Sequence, residues 1–261
     1  MKRELYTLAD EELGYFVNNL HEQMEKEDIP YILVGGTAVQ AHILKRLTDR
    51  TRKTLSELVS DDELRIQDYL RATDDIDLAI SSRVLKREGY VNFNKKINRV
   101  LNVLEVEEAI SPSEEFLLGY KLIRRGIKRP RFQIYVDDEG NDEMQIAMNI
   151  GRNKKDLQNL ESENYDTFVD EGQALQIPFN KDFVISTRVI KPEHLIASKV
   201  AKFRAKDTMD IYNLSDLIRD CGEELNLSEI KKLLLPNYER NYRRFLDLVN
   251  LTNNLNDLNK I

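Results

Sequence analysis

The chain has 261 residues, 41% hydrophobic and 33% charged, which is enough apolar material for a core and excludes global disorder. Its formal net charge of −7 excludes a protein that coats nucleic acid through overall charge, so any such contact needs a local patch. A single cysteine, Cys221, excludes an intrachain disulfide framework and fits a reducing compartment.

The opening "MKRELYTLADEE" has no signal-peptide apolar core, and no apolar stretch approaches the roughly 20 residues that span a bilayer, so a cytoplasmic protein without a membrane partner is expected. Residues 8–27 predict an amphipathic helix, with Leu13, Phe16, Val17, Leu20 and Met24 at helical spacing and Thr7 with Asp10 resembling a capping box. Pro30 ends it, and "YILVGG" follows as a buried strand before helix resumes from Thr37 to about Leu47. Residues 48–72 are strongly polar, with a short helix expected near 61–70, and the segment has the length of an insertion or mobile flap. "DIDLAI" is a second strand, residues 84–108 a helix blurred at Gly89, and "RFQIYVDDEGNDEMQIAMNI" a hairpin. Further strands are expected at 174–178 and 183–190, and from Pro192 onward the periodicity is helical. The pattern describes an α+β chain divided into an α/β portion over 1–190 and an all-helical portion over 191–261.

Two features carry chemistry. In a strand, residues two apart share a face, so Ile76, Leu78 and Ile80 anchor one side of "DIDLAI" while Asp75 and Asp77 share the other. Two adjacent carboxylates repel unless a cation sits between them, and hard divalent ions that prefer oxygen, Mg²⁺ or Mn²⁺, suit such a pair. An ordinary edge strand with a polar outer face presents the same triplet. The second feature is the strand–Gly–Gly–helix elbow at Gly35, Gly36 and Thr37. A helix N-terminus offers free N–H groups and a positive dipole to phosphate oxygens, and glycine admits close approach. The Thr37 hydroxyl is placed to cap the helix or donate to a phosphate. Neither the dinucleotide-binding glycine spacing nor a G-K-[ST] loop is present. Elbow and aspartates together describe a site for a metal–triphosphate.

"GGTA" followed by "R-x-T-x-D-I-D-L" (Arg71, Thr73, Asp75, Ile76, Asp77, Leu78) resembles the nucleotidyltransferase superfamily of the polymerase-beta type, and more closely its AbiEii/AbiGii-type toxin branch. "KPEHLIASKVAKFRAKDTMDIYNLSDL", residues 191–217, is similar to that branch's later motifs, with Lys199, Arg204, Asp207 and Asp210 at the matching positions. The resemblance implies a nucleotidyltransferase-like domain with a mixed sheet flanked by helices, followed by a helical domain. It implies NTP binding at Gly35, Gly36, Thr37, Arg71, Thr73 and Lys199, with metal at Asp75 and Asp77. Asp75, Asp77, Lys199 and Asp210 would be catalytic, with Arg204 and Asp207 in support. Lys199 would neutralise triphosphate charge, while Asp207 or Asp210 would orient that lysine or help deprotonate the acceptor. From the sequence alone, Lys199 reads as a solvated lysine and "KDTMD" as a helix start with acidic N-terminal charge.

The family's third carboxylate has no obvious counterpart. The second hairpin arm presents Gln145, Ala147 and Asn149, with Asp142 and Glu143 at the turn. Two basic clusters, Lys45–Lys53 and Arg124–Arg131, offer phosphate-contacting surfaces for an RNA such as tRNA, or are simply solvated faces. The expected function is metal-dependent transfer of an NMP from an NTP to an acceptor hydroxyl, of RNA first and of protein next. The family places such an enzyme as a toxin opposed by a cognate antitoxin. The alternative is a catalytically impaired, nucleotide- or partner-binding member of the same fold.

Overall fold

The computed structural model describes residues 7–62, 64–73, 75–104, 131–135, 143–150 and 166–258. Helix α1 (Glu11–Lys26) buries Leu13, Val17, Leu20 and Met24, the stripe its spacing predicts. Its start differs from a capping box: Asp10 stands at the N-cap but turns its carboxylate back to accept the Thr7 N–H at 2.7 Å. Strand β1 (Tyr31–Val34) is buried along its whole length and leads directly into α2 (Gly35–Thr51). That helix packs against both the sheet and the C-terminal helices, so every residue from Thr37 to Leu44 is buried. It runs four residues past the expected end at Leu47 because Leu47 and Thr48 are also buried, and it stops at Arg52 in the left-handed region (φ 57).

The 48–72 segment is docked rather than a flap. Helix α3 (Leu55–Val59) is closed by a reciprocal Thr54–Glu57 capping box, and the Ser56 N–H donates to the Phe179 carbonyl at 2.9 Å. Leu55, Leu58 and Ile66 are buried anchors within polar sequence. The helix expected near 61–70 reduces to a single 3₁₀ turn at Ile66–Asp68.

Strand β2 (Asp75–Ile80) buries Ile76, Leu78 and Ile80, as its alternation predicts. The single helix expected at 84–108 is two, α4 (Ser82–Glu88) and α5 (Tyr90–Val103), broken where Gly89 adopts φ 72. The two arms of the hairpin pair as read, β3 (Arg131–Tyr135) antiparallel with β4 (Glu143–Ile150), while Val136 and the turn between them lie outside the described residues. Strands β5 (Gln173–Pro178) and β6 (Val184–Val189) make a second antiparallel pair. Four helices follow: α6 (Pro192–Lys202), α7 (Ala205–Asp220), α8 (Leu227–Leu234) and α9 (Glu239–Leu258). The fold is α+β, with one mixed sheet of order β3-β4-β2-β1-β6-β5. Strand β2 lies antiparallel to β1 and parallel to β4, while β1 lies parallel to β6. This order centres β1 and β2 and brings the elbow after β1 beside the aspartate end of β2. Helices α6 and α7 pack on α2.

Candidate active site

The sheet register brings the two sequence features into contact. Val34, the last residue of β1, is the cross-strand partner of Asp77. The chain then bends at Gly35 with φ +70, a conformation that L side chains rarely adopt. A Cβ at Gly35 would collide with the Asp77 carboxylate and lie 3.1 Å from the Asp77 Cβ. Only glycine allows α2 to begin this close to Asp77, a half-buried residue. At the next position, a Cβ on Gly36 would stand 3.0 Å from Arg71 Nη2 and 3.2 Å from Thr73 Oγ1. An acid thus lies on one side of the helix N-terminus and a guanidinium on the other. Thr73 is buried beneath them.

Arg71 is held from the far side. Its Nε and Nη2 donate to the two oxygens of Asp210 on α7, each at 3.2 Å. Lys199 Nζ on α6 donates to Asp210 Oδ2 at 2.6 Å and lies 3.8 Å from Asp207 Oδ1. Lys199 is only 5% exposed, so it is a buried, paired lysine rather than a solvated one. Both Asp210 oxygens accept from cations, which makes this residue a tether between Arg71 and Lys199. Asp207 plays the local part that its place at a helix start suggests. Its carboxylate accepts from the Arg204 N–H at 3.0 Å and from Arg204 Nε at 2.7 Å. Burial pushes its carboxyl up, yet the Arg204 hydrogen bonds and the Lys199 charge outweigh burial and hold it below the usual aspartate value.

Thr37 differs from expectation. The helix begins ahead of it, and its side chain is fully buried within the first turn, so it neither caps α2 nor faces outward to a phosphate. Asp75 takes the strand position two before Asp77, opposite Gln145, and its side chain falls outside the described residues. Strand β4 is indeed the neighbour of β2, with Ala147 opposite Asp77 and Asn149 opposite Ala79. None of these three positions carries an acid. Asp142 lies outside the described residues, and Glu143 pairs with Tyr135 at the hairpin end of β4, two residues before Gln145.

The first basic cluster is answered by acids. Lys45 pairs with Asp49, Arg46 with Glu223, Arg50 with Asp220 and Lys53 with Asp61, at 2.5 to 3.2 Å. The Arg46 and Arg50 pairs tie α2 to the C-terminal end of α7, Lys45–Asp49 lies within α2, and Arg52, the fifth member, is exposed. Residues 124–130 of the second cluster lie outside the described residues, and Arg131 opens β3.

One cluster escaped the spacing argument. Glu171, His194 and Glu229 bring their donor atoms within 4.8 Å of one another. The Lys191 ammonium already sits between the carboxylates, 2.7 Å from Glu171 and 3.4 Å from Glu229. His194 Nε2 meets Glu229 at 2.8 Å, but its buried Nδ1 has no partner among the described residues, whereas a metal-holding imidazole has its second nitrogen anchored. The arrangement is an ion network joining the start of α6 to α8. Burial lowers the His194 pKa despite Glu229.

No protein-family model matches the chain, and no curated protein matches it either.

Proposed function

We propose that this chain is a metal-dependent nucleotidyltransferase of the polymerase-beta type, related to the AbiEii toxin branch, which transfers an NMP from an NTP to an acceptor hydroxyl. The observation that carries the reading is the elbow itself: Gly35 bends with no room for a Cβ against Asp77, while Arg71 lies across Gly36. A bare polar edge strand gives no reason for that geometry. The donors suit the chemistry: Asp77, with Asp75 two residues before it, would hold Mg²⁺ or Mn²⁺ through hard carboxylate oxygens. Such an ion, when bound, neutralises triphosphate charge and orients the α-phosphorus.

The chain's own residues do the rest. Amides at Gly35 and Gly36 and the α2 dipole bind phosphate oxygens. Arg71, 30% exposed, adds a cation on the same side. Asp210 and Lys199 set its direction from behind and keep it from swinging into solvent. The acceptor hydroxyl attacks the α-phosphorus in line and pyrophosphate departs. RNA, a tRNA above all, is the first acceptor to test and a protein hydroxyl the second. The resemblance extends the reading to a cytoplasmic toxin with a cognate antitoxin.

A second reading, a nucleotide- or partner-binding protein without turnover, is favoured by one observation, the absence of an acid at Gln145 and Ala147 opposite the aspartates. Incubation with Mg²⁺, total tRNA and each NTP labelled at the α-phosphate separates the two. Label on RNA supports the enzyme, and NTP binding without transfer supports the second reading. An intact fold with neither NTP binding nor transfer overturns the enzyme and the nucleotide-binding form of the second reading.

A further inference from the structure

Gln40 lies one turn beyond Gly36 on α2, on the same helix face, and is only 1% exposed. Burying an amide is unfavourable unless its hydrogen bonds are made. Here both ends are used. Oε1 accepts the Leu8 N–H at 2.8 Å, and Nε2 donates to the Arg71 carbonyl at 2.8 Å. One partner is a donor and the other an acceptor, so the amide can point only one way. The residue bonded at its nitrogen end is the one whose guanidinium lies 3.0 Å from the Cβ position of Gly36.

We infer that Gln40 is a positioning residue for anion binding at the elbow: its amide fixes the Arg71 main chain so that the guanidinium lies across the α2 N-terminus. The inference rests on the proposed triphosphate site. Arg71 is then held by Gln40 at its carbonyl and by Asp210 at its guanidinium, whose Nη1 also donates to the Ala72 carbonyl at 3.2 Å. The Leu8 bond adds a third party. Leu8 is fully buried, so the segment ahead of α1 is stitched to the phosphate side of the site through one side chain. No ionisable group is needed for the clamp. Its effect on binding passes through Arg71 alone, and this sets it apart from a general contribution to packing.

The test is a double-mutant cycle read by calorimetric binding of inorganic tripolyphosphate with Mg²⁺, a probe independent of the base. Unfolding midpoints are recorded for every variant. In the wild-type background, Gln40→Met removes both amide bonds and is expected to weaken binding about tenfold, the worth of one well-placed hydrogen bond. In an Arg71→Ala background the same substitution is expected to change binding less than twofold, because the group it positions is gone. Equal weakening in both backgrounds, or none in either, overturns the role of Gln40. Wild-type protein that binds no tripolyphosphate overturns instead the proposed function on which it rests. Should Gln40→Met fail to fold, Gln40→Asn carries the same cycle, since it keeps an uncharged amide in the buried site but is one methylene too short to bridge the Leu8 N–H and the Arg71 carbonyl.

Discussion

Three glycines allow the elbow to be tested with an internal standard. Gly35 and Gly222 both adopt positive φ, +70 and +73, but nothing lies within 4 Å of a Cβ built on Gly222. Gly222→Ala therefore measures the left-handed backbone alone, expected at about 1 to 2 kcal/mol. Gly35→Ala carries the same backbone term and adds the collision with Asp77, whose carboxylate must rotate and whose Cβ, 3.1 Å away, must give. Strand β2 is paired on both sides, so Asp77 cannot retreat with its backbone. Overpacking of this kind costs about 1 to 3 kcal/mol, which puts Gly35→Ala at about 2 to 5 kcal/mol in total. Gly36→Ala is the third arm. Its Cβ meets Arg71 Nη2 at 3.0 Å and the buried Thr73 Oγ1 at 3.2 Å, so the guanidinium must give against its Asp210 bonds; stability should fall by about 1 to 2 kcal/mol while Arg71 is pushed off the helix end. Urea unfolding gives all three values, and Mg²⁺–NTP binding is measured alongside. Equal destabilisation by Gly35→Ala and Gly222→Ala would refute the contact between elbow and aspartate.

Three further substitutions address ionisable side chains. Asp210→Asn leaves Lys199 buried with only the more distant Asp207, and should destabilise the protein by about 3 kcal/mol in urea unfolding; a loss under about 1 kcal/mol contradicts the tether. His42 donates from Nε2 to the Ile190 carbonyl at 2.7 Å while its Nδ1 accepts from Arg46, and burial lowers its pKa to about 4. The unfolded chain takes up that proton near 6.5 and the folded protein only near 4, so stability should fall as pH drops through this window, by up to about 3 kcal/mol. His42→Gln keeps a donor for Ile190 and should flatten that dependence in unfolding measured from pH 7 to 4. Arg50→Gln removes a half-exposed pair with Asp220 and should change stability and RNA binding by less than about 0.5 kcal/mol. Weaker RNA binding by tenfold in that variant would restore the first basic cluster as a nucleic-acid surface.

The sequence disclosed what depends on local pattern and hid what depends on partners far along the chain. The alternation of Ile76, Leu78 and Ile80 announced β2, and the Gly-Gly step announced the elbow, because period and backbone freedom are properties of a few residues. Their contact became visible only through the Val34–Asp77 register. Lys199 reads as a solvated lysine until its acids are placed around it, and Arg71 meets Asp210 across 139 residues of sequence. Gln40 looks like any polar residue of a helix, since its partners are main-chain groups that no side-chain pattern records. The 48–72 segment misled for a related reason: three scattered apolar anchors, Leu55, Leu58 and Ile66, suffice to dock a stretch whose average is polar. That Gln145, Ala147 and Asn149 carry no acid is, by contrast, plain in the sequence, and the parallel pairing of β2 with β4 gives those residues their place opposite the aspartate strand.

The central claim is that metal and triphosphate meet at Asp77 beside the elbow. Mn²⁺ binding followed by electron paramagnetic resonance, with and without each NTP, tests it on wild type and on Asp77→Asn. The account predicts Mn²⁺ uptake by the wild type that strengthens with NTP, and its loss in Asp77→Asn with an unchanged unfolding midpoint. Equal Mn²⁺ and NTP binding by the two proteins would contradict it.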